Sequence, residues 1–128
     1  MAVASGGRKE SFPSHADYSA AGQQYRIMVV NADGRAQLSG ANTAAPVGTL
    51  INKPGAQDRG ATVQIDGITK IQIGAGVNEG DRLTSDGDGR AIATTTDKHP
   101  VVAMAMSAGT TSGDIIAAML TPGSMLAN

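Results

Sequence analysis

The acidic side chains best spaced to bind a cation lie in one glycine-rich stretch. Asp86 and Asp88, followed by Gly89, resemble the beginning of a calcium-binding loop. Such a loop needs further oxygen ligands and a glutamate at its end, whereas Arg90 and Ala91 come next in this chain. An Asp-Gly pair is typical of a tight hairpin turn because glycine adopts positive φ without strain. We therefore predict a turn at this position and no metal site.

A glycine series follows the middle of the chain. Gly74, Gly76 and Gly80 resemble a phosphate-binding loop, but their spacing misses the dinucleotide pattern by one residue. Phosphate binding in such loops also uses a helix N-terminus, and no helix is predicted here. We therefore predict a plain loop and no nucleotide cofactor.

The two histidines are isolated in the sequence. A catalytic histidine needs a nucleophile or a carboxylate fixed within hydrogen-bonding reach. His15 lies in a polar segment, and His99 has only Asp97 nearby, which permits a local pair but indicates no mechanism. We interpret both as surface residues, and we predict no catalytic residue and no enzymatic activity.

Charge and composition exclude two further classes of partner. The formal net charge is −1, no basic run occurs, and only one Phe and two Tyr could stack on bases. Nucleic-acid-binding domains show a basic face instead. The longest apolar stretch, 101–106, is far shorter than the roughly 20 residues that span a bilayer as a helix. We expect no nucleic-acid partner and no membrane partner.

The elements that would carry any site are predicted to be short strands. Seventeen Gly and nine Asp, against two Glu, favour turns over helices. We predict an all-β fold, a small β-barrel or sandwich of antiparallel strands, with hairpin turns at Asp33-Gly34, Asp66-Gly67 and Asp88-Gly89. The predicted strands are 25–30, 35–39, 47–52, 61–65, 69–73, 82–85, 90–94, 101–106 and 114–120.

The two ends of the chain are predicted to differ from this domain. Residues 1–24 are rich in Ser, Gly, Ala and Gln without a periodic apolar pattern, so we predict an extended N-terminal arm. We favour an arm held by a neighbouring subunit; the alternative is an arm folded back on its own domain. Residues 25–122 form the predicted β domain, and 123–128 form a C-terminal tail.

Two further patterns bear on packing. Core filling is the favoured role of the methionines in a protein short of aromatics, and a Met-lined binding surface is the alternative. The sequence DGRA occurs at 33–36 and again at 88–91, and each copy is followed by a Pro-Val pair, at 46–47 and at 100–101. Two related units of this kind would suit a pseudo-symmetric β fold.

The second half of the chain resembles a known family. The stretch 76–91, GVNEGDRLTSDGDGRA, together with VVAMA at 101–105 and GDIIAAML at 113–120, is similar to the small capsid cement (decoration) proteins of phage heads. Residues 46–50, 60–63 and 67–76 fit the upstream half of that family in order, so the resemblance covers roughly 25–121. Ala103 departs from it, since the family often has Gly there.

This resemblance implies a structural protein on the outer surface of the expanded phage head, made in the host cytoplasm. Its partner would be the major capsid protein, and a homotrimer is the favoured oligomer. The predicted capsid contacts are Arg8 and Lys9, which would pair with carboxylates, and the aromatic anchors Phe12, Tyr18 and Tyr25.

Two other functions remain open. The chain could be another virion component, such as the base of a head fibre or a minor tail protein. It could instead be a small ligand- or carbohydrate-binding β module, although such sites usually have aromatic platforms.

Overall fold

The structure, a computed structural model, describes residues 9–19, 23–39, 46–94 and 100–125. These residues form ten strands and no helix, so none of them belongs to a helix long and apolar enough to cross a membrane. The strands are β1 (Lys9–Pro13), β2 (Ile27–Val30), β3 (Ala36–Leu38), β4 (Gly48–Leu50), β5 (Gly60–Gln64), β6 (Gly67–Gln72), β7 (Arg82–Ser85), β8 (Ala91–Ala93), β9 (Pro100–Ala105) and β10 (Ile115–Met125).

The strands form two five-stranded antiparallel sheets. The first has the order β1-β5-β4-β2-β3, and the second has the order β6-β10-β9-β7-β8. The all-β prediction is confirmed, and the two sheets make a sandwich-like fold that does not close into a barrel. Period-two alternation explains the inward faces: Ala61 and Val63 of β5 are fully buried, as is Ile71 of β6.

One predicted hairpin is wrong. Asp66-Gly67 does not return the chain beside β5, because β5 belongs to the first sheet and β6 to the second. Gly67 does adopt positive φ, 77°, as an Asp-Gly turn requires. The buried amide of Gln64 donates hydrogen bonds to the carbonyls of Asp66 and Ile68, both at 2.9 Å. These bonds satisfy backbone carbonyl groups where the chain crosses from the first sheet to the second.

The second sheet repeats the first with every strand number raised by five. The register repeats as well. Met28 pairs with Leu38 in the first sheet, and Leu83 pairs with Ala93 in the second, so both partners lie 55 positions further along the chain. The chain therefore contains two structural repeats, which confirms the pseudo-symmetry predicted from the DGRA sequences.

The repeated turns are built by the same hydrogen bonds. Asn31 Oδ1 accepts from the backbone N–H groups of Asp33 and Arg35, both at 3.0 Å. Asp86 Oδ1 accepts from Asp88 and Arg90 at 2.8 and 3.0 Å. Each side chain thus closes the hairpin between the second and third strands of its repeat.

The predicted Pro-Val correspondence is off by one residue. Leu50 N–H donates to the carbonyl of Arg26, and Ala105 N–H donates to that of Asp81. This pairing keeps the shift of 55 positions, so Pro46 corresponds to Val101. The sequence comparison aligns Pro46 with Pro100 because both residues are proline. The structural equivalence is set instead by the backbone hydrogen bonds between strands.

Each repeat has a hydrophobic core on the equivalent face of its own sheet. The first core contains Tyr18, Met28, Ala36, Leu50, Ala61 and Val63. The second contains Ile71, Ile73, Val77, Leu83, Ala91, Val102, Ala103, Ala105, Ile116, Ala118 and Leu120, and also Ile27 from the first repeat. Ile27 therefore ties the first repeat to the core of the second.

Candidate interaction surfaces

An exposed apolar surface lies on the outer side of the second sheet. Met104 and Met119 are cross-strand neighbours on β9 and β10, and each exposes 39% of its surface. Met106 is exposed to a similar degree, 38%. We call these three residues the methionine face. Their exposure overturns the prediction that the methionines fill the core, which holds for the fully buried Met28 but not for them.

Charged and apolar neighbours extend this surface. Ile68 of β6 pairs with Met119, and Arg82 of β7 pairs with Met104, so one row crosses four strands. Arg82 is exposed, and Ile68 is half-buried. Ile115, at the start of β10, is the most exposed large apolar residue of the described chain at 47%. An unbranched, flexible methionine surface bordered by a cation is suited to contact with another protein.

The corresponding surface of the first sheet is covered by the second repeat. Thr49 and Gln64 hold the positions of Met104 and Met119, and both are fully buried. Thr49 Oγ1 lies 3.0 Å from Thr69 Oγ1 of β6, in a buried contact between the sheets. At these two positions the sheet therefore carries polar residues where it is covered within the chain and methionines where it is exposed.

The segment predicted as an arm is part of the β fold where the structure describes it. Residues Lys9–Pro13 form β1 and pair with β5 along its whole length. Phe12 packs against the first core, and Tyr18 is buried within it. The alternative placement, folding back on its own domain, is what residues 9–19 adopt, because alternate side chains of β1 reach the core face.

Tyr18 has little surface left for a partner, being 7% exposed. Its hydroxyl oxygen accepts a hydrogen bond of 3.4 Å from the backbone N–H of Leu38. Burial raises the pKa of Tyr18, because the ionised form would lose its hydration, and the Leu38 N–H acts weakly in the opposite direction. Tyr18 is therefore a core residue of the first repeat.

The other predicted contact residues are placed differently. Lys9 is exposed at the start of β1, and Tyr25 is half-buried with positive φ, 67°. The Lys70 ammonium lies 5.8 Å from the centre of the Tyr25 ring, within the range of a cation–π contact. Arg8 lies outside the described residues. Of the predicted contact residues that the structure describes, Phe12 and Tyr18 lie together at the first core.

The side chains considered for chemistry have structural roles or lie outside the described residues. Asp86 holds the turn through the hydrogen bonds given above, as the turn interpretation predicts. His15 is exposed, and its Nδ1 lies 3.2 Å from Asn31 Nδ2. Asp97 and His99 fall outside the described residues. Among residues 9–19, 23–39, 46–94 and 100–125, no cluster of three metal-ligating side chains occurs.

The exposure of the methionine face fits the alternative interpretation given above, a Met-lined surface, and not the favoured one, core filling. Alternation along the predicted strand 101–106 does place Met104 and Met106 on one side. Which side faces outward depends on how the two sheets pack, and apolar residues on both sides of β9 conceal it. Comparison of the two repeats does carry a signal, because the position equivalent to Met104 is the polar Thr49. A change of residue type between equivalent positions indicates that their surroundings differ.

No family model matches the sequence, and no curated protein matches it at a significant level. The resemblance to cement proteins therefore rests on the motifs quoted above. The fold is similar to the crystal structure of the head fibre gp8.5 N base of bacteriophage phi29, with a TM-score of 0.67. The match covers 89% of this chain and 93% of that chain at 18% identity. At this identity the likeness establishes the fold alone.

Proposed function

We propose that this protein is a structural component of a phage virion, attached to the outside of the head as the base of a head fibre. The observation that carries the proposal is the fold likeness to the phi29 head fibre base, which extends over nearly the whole of both chains. The methionine face adds a surface of the kind that assembly requires. The partner would be the major capsid protein.

A cement protein is the second candidate. The motifs at 76–91 and 113–120 support it, because they resemble that family. Both functions use a small β module on the capsid surface, and they differ in how much of the lattice is occupied. Many weak contacts on a lattice sum to strong retention in either case.

The aromatic residues weigh against a carbohydrate-binding module. Such modules present aromatic side chains in a concave site. Phe12 and Tyr18 pack into the first core instead, which leaves the half-buried Tyr25 as the one remaining aromatic residue.

Co-sedimentation with phage heads tests the proposal. Expanded heads of the phage that encodes the protein would be purified without it, incubated with the pure protein and imaged by cryo-electron microscopy. Density at a subset of symmetry-related positions supports a fibre base, whereas density over the whole lattice supports a cement protein. A folded protein that stays in the supernatant contradicts both.

A further inference from the structure

The two repeats present equivalent surfaces, of which one pair is in contact within the chain. We define face A as Tyr25, Ile27, Thr49 and Gln64 in the first repeat, and as Gly80, Arg82, Met104 and Met119 in the second. We define face B as Thr69, Gln72, Ser85 and Gly89 in the second repeat. In the first repeat, face B consists of Glu10, Pro13, Val30 and Gly34. Glu10 and Pro13 pair with β5 as Thr69 and Gln72 pair with β10, and Val30 and Gly34 lie 55 positions before Ser85 and Gly89.

Within the chain, face A of the first repeat packs on face B of the second. Ile27 N–H donates to the carbonyl of Gly89 at 2.6 Å, and Gln72 N–H donates to that of Tyr25 at 2.8 Å. The buried contact between the Thr49 and Thr69 hydroxyls lies in the same interface. Main-chain hydrogen bonds therefore join the two repeats.

The complementary pair of faces is exposed. On face A of the second repeat, Met104 and Met119 are each 39% exposed, where their counterparts Thr49 and Gln64 are fully buried. On face B of the first repeat, Val30 is 36% exposed, where its counterpart Ser85 is 3% exposed. Pro13 and Gly34 of the same face are also exposed, and Glu10 is half-buried. Each chain thus carries a largely exposed face A and a largely exposed face B.

We propose that a second copy of this chain covers the methionine face. Face A of the second repeat in one copy packs on face B of the first repeat in the next copy, in the arrangement that joins the repeats within one chain. The proposal extends the interface already present in the chain, and it does not depend on attachment to a capsid.

The residues that differ between the repeats suit a contact between copies. Met104 and Met119 replace Thr49 and Gln64, so the outer contact is more apolar and can adapt to the neighbour. Arg82 replaces Ile27, which lies within the chain beside the turn of Asp88 and Gly89. The corresponding turn of the next copy carries Asp33, which gives Arg82 an opposite charge.

A contact of this kind is heterologous, since two different faces meet. Heterologous contacts close into a ring or continue as a filament.

Engineered disulfides test the arrangement directly, because the native chain has no cysteine. Glu10 of one copy is expected to face Met104 of the next, as Thr69 faces Thr49 within the chain. Glu10→Cys and Met104→Cys variants, tagged to differ in size, would be co-expressed and oxidised. We expect a mixed covalent dimer on non-reducing gels that neither variant forms alone. An oligomer that yields no mixed dimer overturns the proposed interface.

Mass measurement on charge variants provides the second test. Met104→Glu is expected to weaken self-association at least about tenfold, since it sets a second carboxylate against Glu10 of the next copy. Ile115→Glu is the matched control: Ile115 borders the methionine face on β10, but its counterpart Gly60 is exposed in the first repeat, so the contact between repeats does not reach this position. Both side chains are exposed, so circular dichroism should show an unchanged fold.

Light scattering and native mass spectrometry of the full chain would read the result. A native oligomer that Met104→Glu dissociates and Ile115→Glu leaves intact supports the proposal. A native chain that is monomeric at every concentration overturns the proposal. If Met104→Glu then abolishes head binding by that monomer, the methionine face contacts the capsid instead. Head binding by a monomer leaves the proposed function standing.

Discussion

Tyr25 and Gly80 hold the same place in the two repeats and share a left-handed backbone, with φ of 67° and 86°. Each donates its N–H to the end of the neighbouring strand, Tyr25 to the Leu50 carbonyl at 2.7 Å and Gly80 to the Ala105 carbonyl at 2.8 Å. A non-glycine residue in this conformation costs about 1–2 kcal/mol. Tyr25 tolerates that cost where its carbonyl accepts the Gln72 N–H that joins the sheets.

Replacing Gly80 with alanine should destabilise the protein by about 1–2 kcal/mol, because a Cβ is strained at this φ although the space around it is open. Gly87→Ala is the matched control: its surroundings are equally open, and its φ is not in the left-handed region. We expect the control to be neutral or slightly stabilising. Urea unfolding measures both, and equal effects would contradict the role of φ.

The buried hydroxyl pair between the sheets should show non-additive energetics. Thr69→Val removes the partner of the Thr49 hydroxyl at 3.0 Å and should cost about 1–3 kcal/mol. Thr49→Val should cost less, because Thr69 Oγ1 also donates to the Lys70 carbonyl at 3.2 Å. The double variant should recover part of the loss, since two apolar groups then meet. A double-mutant cycle by urea unfolding measures the coupling, and strictly additive losses would refute it.

Stability should depend on pH through an exposed ion pair. Arg35 binds Asp58 with two hydrogen bonds, Nε to Oδ1 at 2.7 Å and Nη2 to Oδ2 at 3.2 Å, and thereby lowers the pKa of Asp58. A lowered folded-state pKa adds stability above the usual value of about 4, and this stability is lost as the pH falls through the folded-state pKa. Asp58→Asn, which tolerates the positive φ of this position, should therefore be less stable than the native protein at neutral pH and equally stable in acid.

The control for this prediction is the same substitution in an Arg35→Gln background. Without the guanidinium, Asp58→Asn should change the urea midpoint equally at every pH. A pH-dependent difference that persists in that background would assign the lowered pKa of Asp58 to a partner other than Arg35.

Local signals predicted most of the strands, whereas the relation between the sheets could not be predicted from them. Alternation and Asp-Gly turns place β2 to β9 and the start of β10 within two residues, because these depend on neighbours in sequence. The end of β10 is wrong: the strand runs to Met125, into the segment predicted as the C-terminal tail. Asp66-Gly67 carries the same hairpin signal as Asp33-Gly34, and only the partners of β5 and β6 distinguish a crossing from a hairpin. Exposure of Met104 likewise depends on which face of β9 the other repeat covers.

The N-terminal segment illustrates the same limit. Its composition is polar, and β1 has only Phe12 to mark its inward face, so no periodic pattern indicated a strand. The strand forms because the edge of β5 offers unpaired main-chain groups along its full length. Edge pairing of this kind leaves almost no trace in the sequence of the added strand.

Phe12→Ala decides whether this segment belongs to the fold. Phe12 is half-buried against the first core, so the substitution should cost about 2–3 kcal/mol, below the 3–5 kcal/mol of a fully buried phenylalanine. Ser11→Ala is the control, because Ser11 is exposed on the opposite face of β1 and should change little. Unfolding midpoints measure both variants. A Phe12→Ala variant as stable as the native protein would restore the interpretation of residues 1–24 as an arm separate from the domain.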